Sequence, residues 1–320
     1  MIKIMKKVLK KIIKFLGIAL LSIIILITVF LFGVKIWNHV AMKGEEELLA
    51  DHPGISVEVD GQNMNLYVEG EGNHTLVLMS GWKAPSPMYA FKPLYSRLSD
   101  DYRCVVIEKF GYGFSDEYDG PRDFDTILRQ DREALQKAGI EGPYVLCAHS
   151  LSGLEAELWT QMYPDEIEAI IGLDMCVGGC FDPVEDTKDC ATQNALDDVA
   201  AFFGINRFLM SISEFEGYTD EEIKRYIAVG CKNLGNDTAQ REMEGIVAVF
   251  DEINSMPTPT VPTIQYVSSV NKDDEMWVGS HQNIVNASTN GRYVQLECGH
   301  NVYDYEADRI AEDIKLFLGE

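Results

Sequence analysis

Apolar strand-like runs alternate with amphipathic helical segments through the middle of this 320-residue chain. The runs are HTLVLMSGW, RCVVIEKFGYGFSD, YVLCAHSLSG and EAIIGLD, and an intervening segment such as FDTILRQDREALQKAGI places apolar residues at a period near 3.6. Strands of this continuous apolar kind, separated by helices, are typical of a mostly parallel sheet with helices on both faces. The alternation therefore predicts an α/β fold.

A hairpin is predicted before this alternation, and a helical insertion interrupts it later. ISVEVDGQNMNLYVEGEG alternates apolar and polar residues around the turn pair Asp60-Gly61. Residues 181–256 lack a convincing strand pattern and contain a capping box, Thr219 with Glu222. Strand patterns return in TIQYVSSV and GRYVQLECGH, before the closing helix ADRIAEDIKLFL. We therefore predict a core of residues 55–180 and 257–320 and a helical cap of residues 181–256.

The first 36 residues are predicted to form a cytoplasmic basic tail and a transmembrane anchor. Phe15–Val34 is a run of 20 uncharged, mostly aliphatic residues, long enough to span about 30 Å of hydrocarbon. The charged residues before this run are all lysines, which predicts a single-pass protein of the cell membrane with a cytoplasmic N-terminus and an extracytoplasmic catalytic domain. A cleaved signal peptide is the alternative, but VKIWNHVAMKG offers no A-x-A-like site. Residues 37–54 are predicted to form a tether.

The charge balance argues against one class of partner. Residues 1–36 hold seven lysines and no acidic residue, so the remainder carries 20 basic against 51 acidic residues, a balance of −31. A body this acidic is repelled by nucleic acid and by anionic headgroups. We therefore expect no nucleic-acid partner, and we expect contact with the membrane through the N-terminal helix.

The stretch YVLCAHSLSG has the pattern of a nucleophile at the end of a strand. Ser150 lies between the apolar run and the next helix, with Ala148, Ser152 and Gly153 as small neighbours. A tight strand-to-helix turn lifts a serine hydroxyl out of the sheet, tolerates only small neighbours and points a helix N-terminus at developing negative charge. Ser150 is therefore the predicted nucleophile, the alternative being an ordinary helix N-cap.

These segments resemble the α/β-hydrolase superfamily. AHSLSGLEAELWTQMYPDEIEAIIGLD is similar to the nucleophile elbow, helix and next strand of that family, EKFGYGFSD to its glycine-rich loop, and LECGH to the segment with the catalytic histidine. With the N-terminal anchor, LMSGW and FGYGFSD resemble bacterial membrane-tethered members. The resemblance implies an eight-stranded, mostly parallel sheet with a helical cap. Epoxide hydrolases and dehalogenases of the superfamily use Asp where Ser150 stands, so the resemblance disfavours their chemistry.

His300 is the predicted base that activates Ser150. A serine hydroxyl is a weak nucleophile until a positioned imidazole removes its proton. His300 follows a strand at the edge where loops converge, whereas His149 flanks the serine and is expected to be structural. The remaining histidines are placed in the tether, in a loop or, for His281, on a surface helix.

The acid of the triad is predicted to be Asp174, with a specific alternative left open. Asp174 ends the strand after the nucleophile's own, where some members of the superfamily carry their acid. In the commonest family arrangement the acid follows TIQYVSSV, but this chain has no carboxylate there until Asp273 and Asp274, in a charged KDDE run. Either acid would orient and stabilise the imidazolium.

Two backbone groups are implied by the resemblance as the oxyanion hole, the N–H groups of Trp82 and Leu151. We expect no cofactor and no metal site, because the loose cluster of Cys176, Cys180 and Cys190 lacks histidines at ligand spacing. A disulfide between Cys176 and Cys180 stays open. The segment AFFGINRFLM is predicted to form the cap's own core, with an acyl pocket as the alternative.

The predicted function is that of a membrane-anchored serine hydrolase that cleaves an ester or related acyl bond of a small-molecule substrate through an acyl-enzyme. The alternatives are an acyltransferase, an aminopeptidase or a lyase on the same site, and a non-catalytic sensor that keeps the triad to bind a ligand. Family membership alone does not decide the substrate.

Overall fold

An eight-stranded sheet forms the centre of the molecule. The structure, a computed structural model, describes residues 2–185, 187–188 and 190–319. The strands are β1 (Ile55–Val59), β2 (Gln62–Glu69), β3 (Thr75–Met79), β4 (Arg103–Glu108), β5 (Tyr144–His149), β6 (Ile167–Leu173), β7 (Thr263–Val267) and β8 (Gly291–Gln295). Their order is β1-β2-β4-β3-β5-β6-β7-β8, and all neighbours from β4 onward are parallel. The mostly parallel sheet and the Asp60-Gly61 hairpin, formed by β1 and β2, are confirmed.

The helices follow the chain around this sheet. The first half contains α1 (Ile2–Gly44), α2 (Glu46–Ala50), α3 (Pro87–Ala90), α4 (Lys92–Tyr95), α5 (Phe124–Lys137) and α6 (Ser152–Met162). The second half contains α7 (Cys190–Phe203), α8 (Ile205–Ser211), α9 (Asp220–Asn233), α10 (Asp237–Gln240), α11 (Ile246–Ser255), α12 (Glu275–Ala287), α13 (Val302–Tyr305) and α14 (Ala307–Leu318). Short 3₁₀ helices lie at Pro164–Glu166 and Arg241–Gly245.

Helices cover both faces of the sheet because alternate strand residues point to opposite sides. Val77 and Leu146 pack into a core cluster with α5, α6 and α11. Leu76 and Val145 pack into a second cluster with α4 and α14. The strands are therefore buried on both faces, as their continuous apolar sequences predict.

In the described part of the predicted cap segment, the helices α7 to α11 pack in different places. The capping box at Thr219 and Glu222 is present at the start of α9. The last helix, α11, buries Val249 and Phe250 in the same apolar cluster as α6. The prediction that AFFGINRFLM forms the cap's own core is wrong for two of its residues, because Phe202 and Leu209 are 57% and 53% exposed.

The N-terminal helix α1 is 43 residues long. It is the one helix of the described chain that is long and apolar enough to cross a membrane, and the most apolar part of it is unburied. The helix continues beyond the predicted anchor as far as Gly44, and α2 follows directly. The predicted tether is therefore helical over most of its length.

Candidate active site

Ser150 lies at the tight turn between β5 and α6. Its φ angle is +53°, in the left-handed region that a non-glycine residue rarely occupies. A Cβ at Gly81 would lie 2.6 Å from the Ser150 Cβ, and a Cβ at Gly153 would lie 2.1 Å from the Cys176 carbonyl oxygen. The small neighbours thus have a steric cause, and the backbone has the strained form of a nucleophile elbow.

The hydroxyl of Ser152 ties this turn to the neighbouring strand. It donates to the Met79 carbonyl oxygen at 2.7 Å and lies 2.9 Å from the His149 carbonyl oxygen. The His149 N–H donates back to the same hydroxyl at 3.1 Å. Ser152 is fully buried, so this serine holds the end of β5 against the end of β3 and has no access to a substrate.

The two N–H groups implied for the oxyanion hole lie on either side of this turn. Leu151 directly follows Ser150, and Trp82 follows Gly81, where a Cβ would lie only 2.6 Å from the Ser150 Cβ. Among the described residues, no backbone hydrogen bond of the loops takes its donor from Trp82 or Leu151. Two unpaired donors beside a serine at the start of a helix are what a developing oxyanion requires.

The loop that contains Trp82 and Lys83 is held by contacts with three other segments of the protein. The Trp82 indole donates to the Ala239 carbonyl oxygen at 2.8 Å, and the Lys83 N–H donates to the Tyr112 hydroxyl at 2.9 Å. The Lys83 ammonium forms an ion pair of 2.6 Å with Asp197 on α7. The loop that carries one implied oxyanion donor is therefore fixed to the helices of the predicted cap.

Asp174 and His300 are brought together although 126 residues separate them. The His300 Nδ1 lies 2.6 Å from the Asp174 Oδ2. Asp174 follows the end of β6, is fully buried and has a φ of +52°. This geometry is that of an orienting carboxylate and an imidazole.

Two further donors hold the Asp174 carboxylate. The Ser268 N–H donates to Oδ1 at 3.0 Å, and the Asn271 side-chain amide donates to Oδ2 at 3.1 Å. Burial alone would raise the pKa of Asp174, but the hydrogen bonds from His300 and Ser268 outweigh burial, and the pKa lies below its ordinary value. An ionised carboxylate only accepts hydrogen bonds, so the proton of neutral His300 is on Nδ1 and its Nε2 is free to accept one.

The alternative acids occupy different surroundings. Asp274 is the N-cap of α12, where its side chain accepts from the N–H groups of Met276 and Trp277 at 2.9 and 3.0 Å. Asp273 is exposed. Neither has a hydrogen bond with His300 among those of the described residues, and Asp174 has one.

His149 packs against His300, and the hydrogen bonds of the described residues include none between His149 and Asp174. Its ring centroid is 4.6 Å from that of His300, and its Nε2 lies 3.2 Å from the His300 carbonyl oxygen. Burial and the nearby His300 lower the pKa of His149 to about 3, so this imidazole is neutral and its Nε2 carries the donated proton. His149 thus positions the backbone of His300.

Ser150 and His300 are both partly exposed, on the same edge of the sheet. Among the described residues no hydrogen bond joins the Ser150 hydroxyl to the His300 ring. Catalytic hydrogen bonds are often long without substrate and tighten in the complex.

One histidine lies elsewhere than predicted. His281 is on a helix, α12, but this part of the helix is fully buried. Its Nδ1 lies 2.6 Å from the Trp277 carbonyl oxygen, and burial lowers its pKa. The prediction of a surface helix is therefore wrong for His281, because α12 packs this face against the sheet.

Sequence reasoning missed a buried ionic cluster next to the site. Lys109, at the end of β4, pairs with Glu155 at 2.6 Å and with Glu242 at 3.3 Å, and Glu242 also pairs with Arg122 at 2.6 Å. All four side chains are nearly inaccessible. The members are up to 133 residues apart, so no local pattern predicts the cluster. It joins the 3₁₀ helix Arg241–Gly245 to the core.

Cys176 and Cys180 are free thiols, so no disulfide joins them. The described residues contain no cluster of three or more His, Cys, Asp or Glu residues that could hold a metal ion.

Comparison of the sequence with known proteins finds a relative that matches nearly the whole chain. The uncharacterized protein YbdG of Bacillus subtilis is 31% identical over 316 residues, which cover 95% of this chain and 96% of YbdG. A cis-3-alkyl-4-alkyloxetan-2-one decarboxylase of Xanthomonas campestris is 32% identical over 37% of this chain and 40% of its own. A pimeloyl-[acyl-carrier protein] methyl ester esterase of Aliivibrio salmonicida is 33% identical over 32% of this chain and 36% of its own. No protein-family model matches the chain.

Solved structures share the architecture. A Bacillus megaterium epoxide hydrolase superposes with a TM-score of 0.65 at 14% identity, over 83% of this chain and all of the other. At 14% identity the likeness concerns the fold. Together with the curated relatives and the elbow geometry, it shows that the chain belongs to the α/β-hydrolase superfamily.

Proposed function

We propose that this protein is a serine hydrolase that cleaves an ester or related acyl bond of a small substrate, with Ser150 as nucleophile, His300 as base and Asp174 as acid. The observation that carries the proposal is the 2.6 Å contact between His300 Nδ1 and Asp174 Oδ2. The strained Ser150 elbow, at the same edge of the sheet, is the second support. The hydrolase names of superfamily relatives, such as the methyl ester esterase, support the reaction class.

The reaction follows from the positions of these groups. His300 Nε2 takes the proton of the Ser150 hydroxyl as its oxygen attacks the acyl carbon. The carbonyl oxygen becomes negative and accepts hydrogen bonds from the Trp82 and Leu151 N–H groups. Collapse expels the alcohol, which takes the proton from His300 and leaves an acyl-serine. Water, deprotonated by His300, then releases the acid and restores Ser150.

The ionised Asp174 keeps His300 in the reactive tautomer throughout. Each time His300 removes a proton, from Ser150 or from water, the imidazole becomes positive, and the carboxylate at 2.6 Å stabilises this charge without taking the proton. Ser268 and Asn271 hold the carboxylate in place. Because Asp174 is fully buried, water screens its effect on His300 less than it would screen a surface ion pair.

The full-length protein in detergent provides the direct test. We expect it to hydrolyse p-nitrophenyl acetate or butyrate, and we expect Ser150→Ala to lose at least about a thousandfold in kcat. Ser255→Ala is a matched control, because that serine is exposed on the end of α11. Equal activity of Ser150→Ala and the parent protein would refute the proposed nucleophile.

We also propose that α1 anchors the protein in the cell membrane, with the N-terminus in the cytoplasm and the α/β domain outside. The length and exposure of its apolar surface support an anchor, and the lysines before Phe15 support the orientation. In intact cells, external protease should degrade the α/β domain and leave a tag at Met1 protected. A tag exposed to external protease would reverse the orientation, and a mature form lacking residues 1–36 would show cleavage.

A further inference from the structure

Two helices of the predicted cap carry an exposed apolar stripe. The exposed residues of this stripe are Leu196, Val199 and Phe202 on α7, Leu209 on α8, and Ile212 directly after α8, each more than half exposed. Positions 196, 199 and 202 recur at helical spacing on one side of α7. Single exposed apolar residues are ordinary on a protein surface, but a continuous stripe indicates a contact surface.

The side of α7 opposite the stripe is bound to the loop that carries Trp82 and Lys83, so the stripe has a fixed direction. Asp197 forms the 2.6 Å ion pair with Lys83. On a helix, position 197 lies about 160° around from Val199, which is in the middle of the stripe. Because Asp197 is held against this loop, α7 turns its apolar side away from the loop.

The same two helices pack against α1. The ring of Phe208 on α8 meets Phe30 at 5.3 Å, and the ring of Phe203 at the end of α7 meets Phe32 at 6.2 Å. The Lys35 ammonium lies 3.1 Å from the centre of the Phe202 ring. The exposed stripe is therefore continuous with the apolar surface of α1.

A group of polar contacts fixes this packing just C-terminal to the apolar run Phe15–Val34. Arg207 on α8 forms a bidentate ion pair with Glu45 at 2.6 and 2.7 Å and donates to Asn38 at 2.7 Å. Between α7 and α8, Gly204 has a φ of +71°, and a Cβ there would lie 2.4 Å from the Asn38 Cβ. A glycine is thus required where the turn meets α1.

The contact points on α1 give the depth of the stripe. Phe30 and Phe32 lie inside the apolar run Phe15–Val34, so α8 meets α1 about 6 Å below the end of that run at 1.5 Å per residue. Amphipathic helices that lie in a membrane interface bury their apolar side about 5–10 Å into the headgroup and acyl boundary. The depth of α7 and α8 relative to α1 fits that position.

We propose that the apolar side of α7 and α8 lies in the outer leaflet of the bilayer, and that the substrate of Ser150 is a membrane-borne acyl ester. The substrate class rests on the proposed function. Lys83, which holds α7 through Asp197, directly follows Trp82, an implied oxyanion donor. Because Asp197 contacts Lys83 directly, the lipid-facing side of α7 lies about one helix diameter, 10 Å, from the loop that would bind the reacting carbonyl.

A lipid bilayer fits this surface better than a second copy of the chain. The stripe runs into the exposed side of a helix that is itself unburied over its most apolar window. The body of the protein, at −31, is repelled by another copy and by anionic headgroups, so an apolar contact beside the anchor is the means by which it can meet lipid.

Photocrosslinking in vesicles tests the contact. A diazirine amino acid replaces Val199 in the full-length protein, reconstituted in phosphatidylcholine vesicles with a minority of phosphatidylglycerol. The control replaces Leu316, which is 63% exposed on α14. We expect a lipid adduct, identified by mass, at position 199 and not at 316. A crosslink to a second copy, or no lipid adduct at 199, would overturn the membrane contact.

Kinetics on two substrates test the substrate class. In Leu196→Gln/Val199→Gln/Leu209→Gln, we expect turnover of monooleoylglycerol carried in the same vesicles to fall by about tenfold or more, because part of the apolar area is lost from the interface. Turnover of water-soluble p-nitrophenyl butyrate should stay within about twofold, as on an unaltered site. Equal losses on both esters would overturn the substrate class. A parent protein that hydrolyses neither ester, yet forms the lipid adduct, would refute the hydrolase and keep the membrane contact.

Discussion

The side-chain amide of Asn271 donates a 3.1 Å hydrogen bond to the same Asp174 oxygen that His300 contacts at 2.6 Å. Asn271 lies in the loop after β7, where the commonest arrangement of the superfamily places its acid. In this chain that loop supplies an amide, and the carboxylate comes from the end of β6. Two strands therefore contribute to holding one carboxylate against the imidazole.

Asp174→Asn should lose about 10⁴ in kcat, because the amide no longer fixes the reactive tautomer of the base. Asp273→Asn/Asp274→Asn should keep most of its activity, and its stability should change little because Asn replaces Asp well at the N-cap of α12. Ester hydrolysis and circular dichroism of both variants check the assignment. The reverse pattern of losses would assign the acid to the later loop.

Exchanging the side chains of Asp174 and Asn271 should restore part of the activity that Asp174→Asn loses. In Asp174→Asn/Asn271→Asp the carboxylate is at position 271, whose side chain lies 3.1 Å from the oxygen of residue 174 that contacts His300. A small rotation of this side chain would bring the carboxylate to His300. We expect the double variant to recover at least about tenfold over Asp174→Asn, a part of the orienting effect of a triad acid. A double variant no more active than Asp174→Asn would show that Asn271 has only a structural role.

The elbow and the sheet could be predicted because their signals are local. Ser150 is marked by an apolar strand, small neighbours and the helix that follows, all within a few residues. The left-handed φ of Ser150 is then a consequence of the turn that those residues allow. His300 is marked in the same way, by its place after the last strand.

The partners of these residues could not be predicted, because they are distant in sequence. Asn271 is 97 residues from Asp174, and Glu242 is 133 residues from Lys109. The exposure of Phe202 and Leu209, which the sequence predicts to lie in the core of the cap, could not be predicted for a similar reason. An apolar helix side in a sequence indicates a contact surface but does not show whether that surface faces the protein core. The ion pair of Asp197 with Lys83 shows which side of α7 faces the rest of the protein.

Replacing one buried acid should remove a pH-dependent loss of stability. Burial raises the pKa of Glu157 on α6 from 4.5 to about 7, although the Gly178 N–H donates to it. The folded state therefore holds this proton more tightly than the unfolded state, and stability falls as pH rises through this range, by about 3 kcal/mol in full.

Glu157→Gln keeps the acceptor for Gly178 and removes the titration. We expect both proteins to melt at similar temperatures near pH 5 and the variant to melt higher by about 5 °C near pH 8. Differential scanning fluorimetry across this range measures the difference. A constant difference at all pH values would mean that Glu157 stays ionised in the folded protein.

Gly81→Ala should disturb the oxyanion loop while leaving the fold intact. The new methyl group would lie 2.6 Å from the Ser150 Cβ and 3.2 Å from the His149 Nδ1, so the loop with Trp82 must move. Displacing one oxyanion donor costs about a hundredfold in kcat. Gly279→Ala is the matched control, because a Cβ there meets nothing within 4 Å. Unchanged kcat in Gly81→Ala would place the oxyanion donor elsewhere.

The central claim is that Ser150 is the nucleophile, and covalent labelling tests it most directly. The full-length protein is treated with a fluorophosphonate, digested, and searched by mass spectrometry for the modified peptide. A nucleophilic serine reacts because a neighbouring base activates it. We predict a single phosphonylated residue, Ser150, labelling slowed strongly in His300→Ala, and none in Ser150→Ala. Labelling that persists undiminished in Ser150→Ala, or that maps to another serine, would contradict the account.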